Sequence, residues 1–345
     1  MAPHVFLTGV TGLVGGEAFY QLYSKHPDFV YTLLLRDESR GELFRKKYPP
    51  KENIHLVYGT LDAADVIEKA AAAADVVVHT AESADDEPSA RAILKGLASG
   101  HTTERPGYWI HVSGTMLIAG LDKSEDEKFR RDTLHDVDDV ILITEELPDK
   151  CLHRPIDKLV LAANKTTSGS VKTLIVCPPT IYGQGRGPVN QNSMQVPGLT
   201  RYTLTHGYAP ILPPGTVEWD HVHVSDLGAF FVLAVEAALD PVKRADPEIF
   251  GPHAYCFLES GAHVWSDIAR SIALIAEEKG LLTDETKPHV REVTEKEVGH
   301  PSWEFHSHGI AARARKQLGW EPKGKSLVET IPETIDIEWE KLKHK

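Results

Sequence analysis

The sequence predicts the α/β class: a doubly wound parallel sheet with a smaller carboxy-terminal lobe. A short apolar strand, His4 to Thr8, runs through a glycine loop into a helix, Glu17 to Lys25. A second apolar run, Phe29 to Leu35, follows at the distance that a strand–helix–strand unit requires. Strand and helix patterns then keep alternating through the amino-terminal half.

Length and charge bound the reading. At 345 residues the chain can build one large α/β domain or a domain with a smaller lobe. A net charge of −13 argues against nucleic acid or an anionic membrane as the main partner, without excluding a phosphate-bearing small molecule. The three cysteines, Cys151, Cys177 and Cys256, lack the spacing of a disulfide framework or a zinc site, so no metal is expected. A core strand at the amino terminus leaves no room for a signal peptide, and no apolar run reaches the ~18 residues of a membrane span. A soluble, cytoplasmic protein is expected.

The first loop is the most informative stretch. Gly9, Gly12 and Gly15 stand at G-x-x-G-x-x-G spacing, with Thr11, Leu13 and Val14 between them. A strand turning sharply into a helix needs a positive φ, a close backbone approach to phosphate, and a close helix–strand contact. The helix amino terminus then offers unpaired N–H groups to a pyrophosphate. This is the signature of a Rossmann-type dinucleotide site. At the end of the second strand Arg36 occupies the place that meets the adenosine ribose. An arginine there pairs with the 2′-phosphate of NADP, so NADP is favoured over NAD, although the adjacent Asp37 leaves NAD open. Glu38 to Tyr48 reads as the next helix, and Arg40 is a second candidate phosphate contact.

Thr8-Gly9-x-x-Gly12-x-x-Gly15 resembles the extended short-chain dehydrogenase/reductase family, an atypical member of the NAD-dependent epimerase/dehydratase-like group, and further landmarks extend the resemblance over nearly the whole chain. After the strand Ile54 to Tyr58, Gly59-Thr60-Leu61-Asp62 is similar to the family's segment beside the adenine. Asp62 would accept from the adenine amine there, or cap the helix Ala63 to Ala74. The strand Asp75 to His79 ends in Thr80-Ala81, where the family's small residues pass beneath the cofactor. A helix Ser89 to Ser99 and a strand Tyr108 to Val112 lead to Ser113-Gly114-Thr115. Thr115 falls where the family places its catalytic hydroxyl, with Ser113 the alternative or a substrate contact. Residues 121–149 turn acidic and irregular and read as a solvated insertion or lid.

The main departure from the family lies at Cys151-Leu152-His153-Arg154-Pro155-Ile156-Asp157-Lys158. The family's Tyr-x-x-x-Lys puts both side chains on one helix face, where the lysine holds the nicotinamide ribose and the tyrosine exchanges a proton with substrate. Lys158 fits the lysine, but Arg154 stands in the tyrosine's place. Three explanations stay open. His153 or Arg154 replaces the phenol; Tyr182 or the substrate supplies the proton; or redox chemistry has been lost while cofactor binding persists.

The strand Thr173 to Cys177 runs into Pro178-Pro179-Thr180-Ile181-Tyr182-Gly183, which resembles the family's loop at the nicotinamide end of the cofactor. Gln184 to Asn192 is polar and glycine-rich, suited to closing on a ligand, and Arg186 and Asn192 are candidate substrate contacts. His221 and His223 share one face of an expected structural strand, and Asp226 is expected to cap the helix Leu227 to Leu239. His300, His306 and His308 read as a solvent-facing loop cluster. Leu318-Gly319-Trp320-Glu321-Pro322 is similar to the family's terminal signature. Residues 1–183 are assigned mainly to the dinucleotide domain and 184–345 mainly to the substrate lobe, with about 217–250 returning to the first.

The resemblance implies an NADP(H)-dependent oxidoreductase acting on a small carbonyl or alcohol substrate. The alternatives are a cofactor-binding sensor or scaffold without turnover, and a non-redox isomerase or cyclase. A homodimer through a helix bundle, common in the family, is compatible with the chain.

Overall fold

The computed structural model describes residues 2–282, 289–298 and 303–344. Its centre is a seven-stranded, wholly parallel sheet. In chain order the strands are β1 (His4–Leu7), β2 (Val30–Leu35), β3 (Ile54–Tyr58), β4 (Val76–His79), β5 (Gly107–Val112), β7 (Val171–Cys177) and β11 (Tyr255–Phe257). Across the sheet they lie in the order β11-β7-β5-β4-β1-β2-β3, which reverses direction at β1 and β4. Sheets of this kind bury both faces, which is why Val76-Val77-Val78 reads as an unbroken apolar run without alternation.

The helices α1 (Leu13–Lys25), α2 (Glu38–Lys47), α3 (Ala64–Ala73), α4 (Glu87–Gly100) and α5 (Arg154–Thr166) connect these strands, with the two-residue β6 (Leu134–His135) ahead of α5. The carboxy-terminal half adds β8 (Thr180–Tyr182), α6 (Gln195–His206), β9 (Ala209–Ile211), β10 (Glu218–His223), α7 (Val224–Leu239), β12 (Ala262–Val264), α8 (Trp265–Glu278), β13 (Val290–Glu292), α9 (Glu295–Val298), β14 (Gly309–Ile310), α10 (Ala312–Leu318) and α11 (Leu327–Lys343). Helices α3, α4 and α5 pack side by side, and α1 packs against α7. A second core gathers Tyr182, Leu199, Trp219, Trp265, Ile272 and Ile331 away from the sheet, whereas Phe230 and Phe231 of α7 and Trp320 join the sheet core. No helix among the described residues is long and apolar enough to cross a membrane.

Several expected local details differ. Helix α1 begins at Leu13, so Gly15 and Gly16 lie inside it. Helix α3 is capped by the backbone of Ala63, and the Asp62 side chain is not its cap. Asp226 does not cap its own helix either. His223 does, accepting from Ser225 N, while Asp226 receives the N–H groups of Lys323 and Gly324. The acidic stretch 121–149 is solvated over most of 123–133, as expected of an insertion, and is anchored beyond it: β6 pairs with β14, and Asp136 is buried with three N–H groups, from Phe257, Ala312 and Arg313, on its carboxylate. For Asp226 and Asp136 the cause is the same, a carboxylate that is worth more across the fold than on its own element.

Candidate active site

The glycine loop is built as its spacing requires. Gly9 has φ +76°, and a methyl added there would lie 2.4 Å from Thr80 Oγ1; one added at Gly15 would lie 2.4 Å from both Gly9 O and Thr80 Oγ1. No larger residue fits either position without moving backbone. Thr8 and Thr80 stitch the tips of β1 and β4 together: Thr8 Oγ1 accepts from Thr80 N at 3.1 Å and Ala81 N at 3.3 Å, and Thr80 Oγ1 donates to Thr8 O at 2.8 Å. Leu13 and Gly15 are buried, whereas Gly9, Thr11, Gly12 and Val14 keep partly exposed surface at the start of α1. Thr80 and Ala81 are half-buried beside them.

At the end of β2, Asp37 is spent on structure. Its carboxylate caps α2 and accepts from Arg40 N at 3.0 Å and from Ser39, and these hydrogen bonds hold it below the usual carboxylate range. Arg36 is exposed at the strand end. Leu61 packs partly against the sheet core, and Asp62 is exposed beyond β3.

The carboxyl end of β5 brings together residues from five segments. Ser113 Oγ donates to Asp157 Oδ2 at 3.1 Å, and Tyr255 OH of β11 donates to the same oxygen at 2.9 Å. Burial pushes the Asp157 carboxyl up to about 6, partly offset by those two bonds. The other oxygen, Oδ1, is buried without a partner. Thr115 is buried in a short 3₁₀ turn (Thr115–Ile118), its N–H on Pro178 O and its Oγ1 unpartnered. Deeper in the sheet, His79 bridges Thr8 and Ser89, and His111 lies buried with neither ring nitrogen bonded. Burial depresses both imidazoles, that of His79 to about 4.

His153 is the acid–base candidate that the fold places on this end. It caps α5 in the left-handed region, φ +68°, and its Nδ1 lies 2.8 Å from Asp85 Oδ1. Its Nε2 faces β5: a methyl at Gly114 would lie 3.3 Å from it. With Nδ1–H donated to the carboxylate, Nε2 carries the lone pair that takes a proton and, once protonated, returns it.

The other sequence candidates lie differently. Arg154 is 1% exposed and donates to three backbone carbonyls, Leu147 at 3.2 Å, Ile143 at 2.9 Å and Thr144 at 2.8 Å, so it braces the π-helical turn Leu142–Glu146 and faces no substrate. Lys158 is about half exposed and pairs with Asp149 at 2.7 Å. Tyr182 donates its hydroxyl to Lys325 O at 2.8 Å, and burial pushes it up to about 12, so near neutrality the phenol keeps its proton and commits it to that carbonyl. Thr180 is buried in β8 with Oγ1 unpartnered. Arg186 is paired with the buried Glu17, with about half of its side chain left exposed. Asn192 lines a small cavity with Tyr182, Gly183 and Thr330.

His221, His263, His306 and His308 are held in structural contacts. His221 contacts His263 at 3.2 Å, and His306 accepts from Glu218 N. His308, clamped by Asp220 at 2.8 Å and Glu218 at 3.3 Å, is raised to about 9. Neither His306 nor His308 is fully solvent-facing, and His300 lies outside the described residues. Among the described residues no group of three or more His, Cys, Asp or Glu is arranged to hold a metal ion.

Sequence reasoning missed Asp85, Asp157 and Tyr255. Asp157 adjoins Lys158 in the departing motif, whereas nothing local marks Asp85 or Tyr255.

No family model matches the chain. It is 30% identical to "Oxidase ucsJ" of an Acremonium species over 99% of both chains, and 26% identical to an uncharacterized protein of Schizosaccharomyces pombe over 67% of this chain and 70% of that one. Among solved structures it is similar to dTDP-glucose 4,6-dehydratase from Bacillus anthracis in complex with NAD (TM-score 0.64, 17% identity, 99% and 98% of the two chains). It is likewise similar to UDP-glucose 4-epimerase from Thermotoga maritima with UDP-glucose (TM-score 0.66, 13% identity, 98% and 99%).

Proposed function

The chain belongs to the extended short-chain dehydrogenase/reductase family, of the NAD-dependent epimerase/dehydratase type, and from that premise we propose that it is an NADP(H)-dependent oxidoreductase of a small carbonyl or alcohol compound. The observation that carries the reading is the His153–Asp85 pair at the carboxyl end of β5, where ligands of open α/β sheets bind.

The residues fit a dinucleotide. Gly9 and Gly15 are crowded to the point that only glycine serves, Thr11, Gly12 and Val14 keep open surface at the start of α1, and Asp62 is exposed for the adenine edge. The exposed Arg36, with Asp37 occupied as a cap, favours a 2′-phosphate. The B. anthracis neighbour, solved with NAD, makes NAD the competitor to test. Bound dinucleotide would supply the hydride chemistry. His153 moves the proton at the substrate oxygen through Nε2, Asp85 fixes its tautomer, and Ser113 and Thr115 position that oxygen.

Lys158 supports a second reading. Paired with Asp149 at the surface, it does not hold a nicotinamide ribose in this conformation, which favours binding without turnover or non-redox isomerisation. Calorimetric titration with NADPH, NADP, NADH and NAD, followed by a carbonyl panel with wild type and His153→Ala, separates these. The reductase reading expects tight NADP(H) binding by both proteins, weakened by Arg36→Ala, with cofactor oxidation by wild type alone. Binding without oxidation on any carbonyl supports the sensor, and product without cofactor consumption supports the isomerase.

A further inference from the structure

The polar, glycine-rich segment 184–192 lies against the glycine loop. Asn190 N donates to Thr11 O at 3.1 Å. Gly187 Cα would stand 2.9 Å from a methyl on Gly16, and Gly16 Cα 2.9 Å from a methyl on Gly187, so two backbones meet where neither tolerates a side chain. A methyl on Gly185 would touch Leu13 Cδ1 at 2.7 Å.

The fastening is an ion pair. Glu17, 1% exposed in α1, receives Arg186 N at 2.7 Å and Arg186 Nε at 3.1 Å, together with Arg186 Nη2. Gln21 Nε2 donates to Glu17 at 2.8 Å and to Ser225 O at 2.7 Å, which ties the same carboxylate to α7. Arg186 lies over the Tyr20 ring, 4.5 Å from its centroid, and its carbonyl accepts from Lys47 Nζ at 2.7 Å. A buried carboxylate taking a fork of guanidinium and amide donors is a strong, directional contact. The partly exposed surfaces of Thr11, Gly12 and Val14 show that the segment borders the loop without filling it.

We infer that Glu17 and Arg186 are positioning residues for the dinucleotide: their pair holds segment 184–192 as a strap along the phosphate-binding loop and so sets how tightly the cofactor's pyrophosphate is retained. The inference rests on the dinucleotide reading above. Because the pyrophosphate is common to both cofactors, loosening the strap weakens NADP and NAD alike, whereas Arg36 acts on NADP alone.

The test is calorimetric titration of wild type, Glu17→Gln/Arg186→Met and Gly187→Ala with NADP and NAD, with limited proteolysis across 184–192. The double variant removes both charges at once, so no carboxylate is left buried and unpaired. The expected result is a roughly ten-fold or greater rise in Kd for both cofactors, the scale of losing a charge-assisted hydrogen bond. Faster cleavage within the strap and an intact cooperative melt should accompany it. Gly187→Ala should give the same pattern without touching either charge. Wild-type Kd values in a folded double variant would overturn the inference and leave the dinucleotide reading standing, whereas no binding of either cofactor by wild type would overturn both.

Discussion

Asp85 Oδ1 lies 2.8 Å from His153 Nδ1, and this contact joins the loop after β4 to the residue that opens α5. Asp85 is mostly exposed and His153 largely covered, so the carboxylate acts mainly as an orienter, with solvent screening its charge. Replacing His153 by Ala should lower kcat by about 10² or more if it carries the proton. Asp85→Asn should cost less, about ten-fold. Equal losses from the two variants in kcat/KM would argue against separate roles as acid and orienter.

The same residue is conformationally costly. At φ +68° and ψ −20° His153 occupies a region that costs an L-residue about 1–2 kcal/mol. His153→Ala and His153→Gly both remove the ring, so the difference between them isolates the backbone. Glycine should be the more stable by about 1 kcal/mol, read as a higher Tm, with both variants inactive. An alanine variant as stable as the glycine one would mean that the left-handed conformation relaxes once the ring is gone.

Arg154 stands where the family's tyrosine is expected, yet restoring tyrosine should not restore chemistry. The guanidinium satisfies the carbonyls of Ile143, Thr144 and Leu147 from a fully buried position, and Arg154→Tyr orphans all three. The expected cost is about 3–5 kcal/mol for this variant and for Arg154→Met, with a large fall in Tm. Arg154→Lys should recover only part of it, because one ammonium cannot match the fork. A Tyr variant that melts like wild type and gains turnover would restore the arginine to the catalytic machinery.

What was legible in the sequence follows the range of the forces involved. The first loop could be read because its demands are local: Gly9 needs a positive φ, and a methyl on Gly15 would meet Gly9 O six residues away. The strands along the chain could be read from apolar runs of the right length, whereas their order across the sheet could not. Around α5, however, i, i+4 spacing was misleading. The buried face of the helix runs through Arg154, Asp157 and Val160, so Asp157 turns inward where Lys158 turns to solvent. Asp85 and Tyr255 reach the site from the loop after β4 and from β11, and only the parallel register that sets Tyr255 opposite Ile175, and Ile175 opposite His111, brings the phenol to Asp157. The Glu17–Arg186 pair spans 169 residues, and neither side chain is unusual in its own segment.

The buried carboxyl of Asp157 should leave a mark on stability against pH. Burial raises it to about 6 in the folded protein, above its ordinary value of 3.8, with the Ser113 and Tyr255 hydroxyls, His153 and Arg154 opposing the rise and Cys177 nearby across β7. An acid whose folded value is raised binds its proton more tightly when folded, so it favours folding at low pH, and that contribution is lost as pH climbs from 3.8 through about 6. Asp157→Asn removes the titration. Relative to this variant, wild type should lose up to about 3 kcal/mol between pH 4 and pH 6.5 and nothing further above it. Denaturant melts of both proteins across that range measure the difference directly, and parallel stability curves would mean that the carboxyl titrates near its ordinary value. At neutral pH the ionised carboxylate takes both hydroxyl protons, so Ser113 Oγ turns only lone pairs toward the site. With Asp157 protonated, Ser113 can donate. Turnover that depends on Ser113 as a donor should therefore rise as pH falls through about 6 in wild type and lose that limb in Asp157→Asn.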